Sequence, residues 1–139
     1  MGRKSLVTRK RLVAIVDDEK DITLLFRDAL QKIKGVSVLT FTDPKIALEH
    51  FRTNNAHYVV LLSDFRMPAL NGIELIKKIK DSNPFVRTIL MTAFEINDEL
   101  FKDYTEKEII NAFLQKPILL DTLIKEVSSQ LHLYELQKR

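Results

Sequence analysis

The stretch "YVVLLSDFRMPALNG", residues 58–72, decides how the rest of the chain is read. Its first part, Tyr58 to Leu62, is an apolar β-rich run of the kind that lies buried on both faces of a parallel sheet. Its last part carries Pro68, Asn71 and Gly72, the residues of a turn. Between the two stands an acid, Asp64, at the end of the most hydrophobic strand of the chain. A turn needs no carboxylate there, so Asp64 asks for a chemical reason.

The same pattern extends in both directions. Short apolar runs at 11–16 (RLVAIV), 36–41 (VSVLTF), 86–91 (VRTILM) and 111–115 (NAFLQ) read as further strands buried on both faces. Segments with helical spacing lie between them. Ile22, Leu25, Phe26, Ala29, Leu30 and Ile33 form one apolar stripe, and Gly35 is expected to end that helix. A second, weaker helix starts at Asp43-Pro44, an N-cap followed by a first-turn proline, and carries Ile46, Ala47 and Phe51. A third starts at Asn71-Gly72 and presents Ile73, Leu75, Ile76 and Ile79. The charged segment 95–109 has only Ile96, Leu100, Phe101 and Tyr104 to bury, as one frayed helix or two short ones. A long last helix presents Leu120, Leu123, Ile124, Val127, Leu131 and Tyr134.

Strands alternating with helices make βαβ units with right-handed crossovers and a parallel sheet covered on both faces. The expected fold is therefore α/β: a doubly wound, five-stranded parallel sheet in the order 2-1-3-4-5, a flavodoxin-like three-layer sandwich. One domain over residues 11–137 accounts for all of it.

Composition narrows the class. At 139 residues, with 45% apolar and 29% charged residues, the chain can bury a core without staples. It has no cysteine, which excludes a disulfide framework and any Cys-ligated metal. No apolar run reaches the roughly 20 residues of a membrane span, so a cytoplasmic protein without a membrane partner is expected. The net charge of +3 is uneven: Arg3, Lys4, Arg9, Lys10 and Arg11 face no acid within residues 1–11, leaving 17 bases against 19 acids elsewhere. Residues 1–10 read as a basic, disordered leader. The body shows no basic stripe interleaved with aromatics, so direct contact with nucleic acid is not expected.

In a sheet of this order, ligands bind beyond the carboxyl ends of the strands, at the switch point between the first and third. The first strand ends in Asp17-Asp18-Glu19, the third in Asp64, the fourth in Thr92-Ala93, the fifth in Lys116-Pro117. Three carboxylates, a hydroxyl and an ammonium thus converge from distant parts of the chain. Crowded carboxylates raise one another's pKa and cost stability unless Lys116 or a divalent cation offsets them. An all-oxygen donor set favours Mg²⁺ or a similar hard ion such as Mn²⁺. A carboxylate at such a centre can act as the nucleophile of phosphoryl transfer, while a lysine and a hydroxyl stabilise the transferred oxygens. That chemistry assigns Asp64 as nucleophile, Asp17 and Asp18 to the metal, and Lys116 and Thr92 to the phosphoryl group. Taken singly, Asp18 reads as a helix cap, Thr92 as a turn hydroxyl and Lys116 as a surface lysine; their coincidence on one edge reverses the reading. Phe113 reads as core, and His50, His57 and His132 show no partner spacing.

The motifs "VDDE" (16–19), "DFRMPALNG" (64–72), "MTA" (91–93) and "KP" (116–117), in this order and spacing, make residues 11–137 resemble the CheY-like receiver domain of two-component response regulators. The resemblance implies that Asp64 takes a phosphoryl group from a sensor histidine kinase or a phosphotransfer protein. It implies metal ligands from the side chains of Asp18 and Asp64 and the backbone carbonyl of Arg66, with Asp17 acting mainly through water. The domain would then be a signalling protein, assisting only its own phosphorylation and dephosphorylation. Thr92 and Phe113 would form a switch that repacks the face of the fourth helix, fifth strand and fifth helix for a downstream protein, and a weak phosphorylation-dependent dimer is compatible with this.

The chain departs from the family pattern in three places. Phe113 stands where many members carry Tyr, and "EKEIINAFLQKP" lacks the common glycine, with a charged and lengthened helix expected before it. Arg66 and Phe94 hold the positions that tune dephosphorylation, and neither can orient an attacking water, so a long-lived aspartyl phosphate is expected. Two rival chemistries fit poorly. A haloacid-dehalogenase-type phosphatase needs a second Asp where Arg66 stands, and a flavodoxin-type carrier needs a Ser/Thr-rich loop where "DDEKD" stands. The alternative is a receiver-like interaction module that works without phosphorylation.

Overall fold

The apolar runs form one parallel sheet: β1 (Leu12–Val16), β2 (Ser37–Phe41), β3 (Tyr58–Asp64), β4 (Arg87–Thr92) and β5 (Ala112–Gln115), in the order β2-β1-β3-β4-β5. The computed structural model describes residues 11–95 and 99–137. The helices α1 (Lys20–Leu30), α2 (Pro44–Asn54), α3 (Gly72–Ser82), α4 (Glu99–Glu106) and α5 (Leu120–Gln137) connect the strands or follow the last. Register runs straight across the centre, with Ile15 beside Leu62, Leu62 beside Ile89, and Ile89 beside Ala112.

Successive side chains of a strand point to opposite faces, which divides the core in two. Val13, Ile15, Leu62 and Ile89 meet Phe26 and Leu30 of α1 and Leu123, Val127 and Leu131 of α5. Ala14, Val16, Leu61 and Leu90 meet Phe51 of α2, Leu75, Ile76 and Ile79 of α3, and Phe101 of α4. Burial on both faces holds for β1, β3 and nearly all of β4, but not for β2 and β5, which are only partly buried. Those two strands form the rims of the sheet, where each has a neighbour on one side only.

Local chemistry places most helix ends as expected. Asp43 caps α2 by accepting from the Lys45 amide at 2.9 Å, with Pro44 in the first turn. Asn71 and Glu74 form a reciprocal box at the start of α3, each side chain accepting from the other's amide at 2.9 and 3.0 Å. Helix α1 differs: it stops at Leu30, and the amides of Lys32 and Ile33 bond three residues back in a tightened turn. Gly35, at φ 82°, closes that turn rather than the helix. Asp18 does not cap α1; the cap position is Glu19, without a side-chain bond. Helix α4 covers Glu99–Glu106 among the described residues; the expectation of a lengthened helix falls partly on residues 96–98, which lie outside them.

Residues 1–10 lie outside the described residues, and so does Ile96. Arg11 belongs to the folded body, where it pairs with Glu135 of α5 at 3.1 Å. His50 has a partner after all: its Nδ1 lies 2.7 Å from the Tyr58 hydroxyl, a structural bond between α2 and β3. Among the described residues no helix is long and apolar enough to cross a membrane.

The box at Asn71 is the only tie of its kind at the helix that follows the Asp64 loop. Asn71→Ala is expected to lower stability by about 1 kcal/mol, read as a shift of the urea midpoint with an unchanged slope.

Candidate functional site

The carboxyl edge of the sheet is assembled by backbone bonds before any side chain acts. Asp17 follows β1, and its amide bonds to the Phe41 carbonyl of β2 at 3.1 Å. Asp64 is the last residue of β3, beside Met91 of β4, and the next amide, of Phe65, bonds to the Met91 carbonyl at 2.9 Å. The loop then folds back, with the Gly72 amide on the Phe65 carbonyl at 2.8 Å. A Cβ at Gly72 would run into the Asp64 carbonyl and the Leu90 side chain, so only glycine lets α3 begin this close to the acid. Thr92 ends β4, and the Lys116 amide bonds to its carbonyl at 2.7 Å, with the Lys116–Pro117 peptide cis.

A side chain from the end of β5 must pass over β4 to reach β3, and the long stem of Lys116 does so. Its Nζ lies 2.9 Å from Asp64 Oδ1 and 3.3 Å from Asp17 Oδ2. Asp17 is fully buried, while Asp64 keeps 7% of its surface. Burial pushes the Asp17 carboxyl above its ordinary range; the Glu19 amide on Oδ1 pulls it down, Asp64 pushes it up again, and Lys116 opposes both rises. For Lys116, burial works downward, but its bond to Asp64 and the charges of Asp17 and Asp64 outweigh it, so the ammonium is held above its ordinary pKa.

Asp18 is exposed beside this pair, and one carboxylate oxygen from each of Asp17, Asp18 and Asp64 lies within 4.8 Å of the other two. Three carboxylates against one ammonium leave excess negative charge in a small volume. The all-oxygen donor set is of the type a hard divalent cation takes. A pocket of about 610 Å³ opens above them, with Asp18, Asp64, Thr92 and Lys116 on its lining; Asp17 lies beneath it. The Thr92 hydroxyl accepts from the Phe94 amide at 3.0 Å, a turn role, and donates to none of the described residues.

Asp17, Asp18, Asp64, Thr92 and Lys116 are therefore brought together as the sequence suggests, and Arg66 joins them on the pocket wall. Phe113 is not part of the pocket. It pairs with Leu90 across β4 and β5, on the sheet face that Thr92 shares two residues on, and its ring packs on Phe101 of α4 at 5.1 Å. Sequence reasoning missed Phe65, which lines the pocket and touches both Phe94 (5.8 Å) and Phe101 (5.9 Å). It also gave no sign that the Arg66 guanidinium lies over the Phe94 ring, 4.8 Å from its centre.

Comparison with known proteins bears on what this edge is for. The family model for the response regulator receiver domain matches residues 13–128. The DNA-binding transcriptional regulator NtrC of Klebsiella pneumoniae is 32% identical over 125 residues, 90% of this chain and 26% of that protein. The sensor protein EvgS of Escherichia coli is 32% identical over 88% of this chain and 10% of its own length. The chain thus spans about a quarter or less of these relatives. Among solved structures, the receiver domain of a Francisella response regulator is 28% identical with a TM-score of 0.74, covering 88% of this chain and 98% of that one. A response regulator receiver domain protein of Clostridium thermocellum superposes with a TM-score of 0.80 at 24% identity, covering 91% and 98%.

A carboxyl whose folded pKa lies above its unfolded value adds stability at low pH and loses it as pH rises. Asp17 is such a group. Asp17→Asn, which keeps the Glu19 amide bond, is therefore expected to raise stability in metal-free buffer at pH 7. The gain should shrink as the pH is lowered and wild-type Asp17 takes up its proton. A loss at pH 7 would mean that the bond to Lys116 outweighs the cost of burial.

Proposed function

Because this chain belongs to the response regulator receiver domain family, we propose that it is the phosphoacceptor of a two-component phosphorelay, with Asp64 as the accepting residue. The observation that carries the proposal is the placement of Lys116 Nζ against Asp64 Oδ1, inside a pocket lined by acids and by the Thr92 hydroxyl, which donates to none of the described residues. Lys116 holds Oδ1, which leaves Oδ2 to attack phosphorus. A P–O bond forms, the bond from phosphorus to the donor breaks, and the donor leaves with the electron pair. For a sensor histidine kinase or a phosphotransfer protein, the leaving group is the imidazole of a phosphohistidine. Lys116 then neutralises one phosphoryl oxygen and the Thr92 hydroxyl turns to donate to another. A hard divalent cation, Mg²⁺ or Mn²⁺, held by Asp18, Asp64 and the Arg66 carbonyl, with Asp17 acting through water, would supply the remaining neutralisation.

Turning Thr92 away from the Phe94 amide frees space on the face it shares with Phe113, and the ring of Phe113 moves inward from Phe101. The surface of α4, β5 and α5 is then read by a downstream protein, as a shift between two packings. The role is that of a signalling protein in the cytoplasm, where its kinase presents the phosphohistidine. NtrC is a DNA-binding regulator by its own description; for this chain the downstream partner is a protein of unknown identity. The stacked Arg66 and Phe94 wall the pocket without a group that accepts a proton from water, which supports slow hydrolysis of the phosphoryl group.

Intact mass after incubation with acetyl phosphate and Mg²⁺ tests the proposal. One added phosphoryl group is expected, absent in Asp64→Asn and absent when the metal is chelated. No gain on a folded chain would favour the interaction module that works without phosphorylation. In a second measurement, the label is expected to persist for minutes or longer in Mg²⁺ buffer. A half-life of seconds would overturn the role given to Arg66 and Phe94.

A further inference from the structure

At the opposite edge of the sheet, where β4 and β5 begin, an open pocket of about 310 Å³ gathers Lys80, Arg87, Lys107, Glu108 and Asn111. Lys80 comes from the last turn of α3 and is half-buried. Its Nζ donates to Asn111 Oδ1 at 2.9 Å and lies 3.5 Å from the Pro84 carbonyl. That Asn111 oxygen also accepts from the Thr88 amide at 2.9 Å, while the Thr88 hydroxyl donates to the Ile109 carbonyl at 2.6 Å. Among the described residues, the ammonium is therefore held by neutral amide and carbonyl oxygens.

No carboxylate lies within ion-pair distance of Lys80 among the described residues. Arg87 of β4 faces it, and that guanidinium is itself held by neutral amides, Gln130 Oε1 at 2.8 Å and Gln137 Oε1 at 3.1 Å, both on α5. In the turn after α4, Lys107 pairs with Asp103 at 3.1 Å, and among the described residues Glu108 is the one acid on the pocket lining. An ammonium short of both water and counter-charge is poised to give up its proton.

We propose that Lys80 is an acylation site, its ε-amine taking an acyl group from small acyl phosphates that enter this pocket. The unprotonated amine attacks the acyl carbonyl carbon and a C–N bond forms. The bond from that carbon to the phosphate oxygen breaks, phosphate leaves with the electron pair, and the nitrogen releases one proton to solvent. Arg87 and Lys107 supply the positive charge that receives the phosphate end of the reagent. The product amide is neutral, which removes the repulsion from Arg87 and keeps one N–H for Asn111.

Burial and then Arg87 lower the Lys80 pKa to about 8, with Glu108 working the other way. At pH 7.5 about a quarter of such an amine is neutral, against about 0.1% of an ordinary lysine. The advantage is reduced by the weaker basicity of the nitrogen and by its partial shielding.

The test uses the full chain carrying Asp64→Asn, with acetyl phosphate and a metal chelator, so that phosphorylation does not compete. Peptide-resolved mass spectrometry follows acetylation at each lysine. At pH 7.5 Lys80 is expected to react at least about tenfold faster than the exposed Lys45 and Lys78. Its rate should level off above a bend near pH 8, while those two keep rising, and Arg87→Gln should move the bend upward. Unfolding in urea should abolish the preference. Equal rates at Lys80, Lys45 and Lys78 in the folded chain, or a preference that survives urea, would overturn the proposal.

Discussion

Two carboxylates that have lost most of their water, Asp17 and Asp64, sit either side of a single ammonium, and much of the architecture serves to keep that arrangement in place. Lys116 must arrive from β5 across β4, so the two strands have to end level, as the bond from its amide to the Thr92 carbonyl ensures. Asp64 must stay at the last position of β3 while α3 begins beside it, and the bare backbone of Gly72 permits that closeness. Neutralisation is incomplete, because Asp18 adds a third carboxylate. An edge built in this way is held short of its electrostatic optimum and gains most from an added positive charge or from a protonated acid. In the proposed function, that shortfall is what recruits the cation and orders the chemistry.

The other edge of the same sheet carries the opposite imbalance. Among the described residues, Lys80 and Arg87 are hydrogen-bonded by amide and carbonyl oxygens rather than carboxylates, with the charge of Glu108 offsetting both and that of Glu126 offsetting Arg87. The two ends of the strands thus hold unlike charge excesses separated by the packed core. Between them on one face runs a chain of rings, Phe94, Phe65, Phe101 and Phe113, each in contact with the next. It joins the pocket wall to α4 and β5.

Much of this was legible in the residues because strand and helix periods are local. Five apolar runs, capping residues at Asp43 and Asn71, and polar residues at four strand ends are features of short segments, and the alternation narrows the sheet to the few orders that doubly wound folds adopt. The early end of α1 was not legible: the apolar spacing continues through Ile33, because a tightened turn carries side chains onto the same face as a helix does. Nor was the half-exposure of β2 and β5, since a rim strand and a central strand can have the same apolar density. His50 read as unattached because its partner, Tyr58, lies on another element.

The sequence by itself determined the fold class and which polar residues would end the strands, since each depends on local periodicity, and it narrowed the strand order to those that doubly wound sheets adopt. Only the tertiary structure decided which of those residues touch. Lys116 between Asp17 and Asp64, Arg66 over Phe94, Phe65 in the pocket wall and the poorly neutralised Lys80 all depend on side chains from separate strands and loops meeting within a few ångströms. Such distances are set by register, by the reach of particular side chains, and by how closely two backbones can pass, as at Gly72. None of these is a property of any one segment.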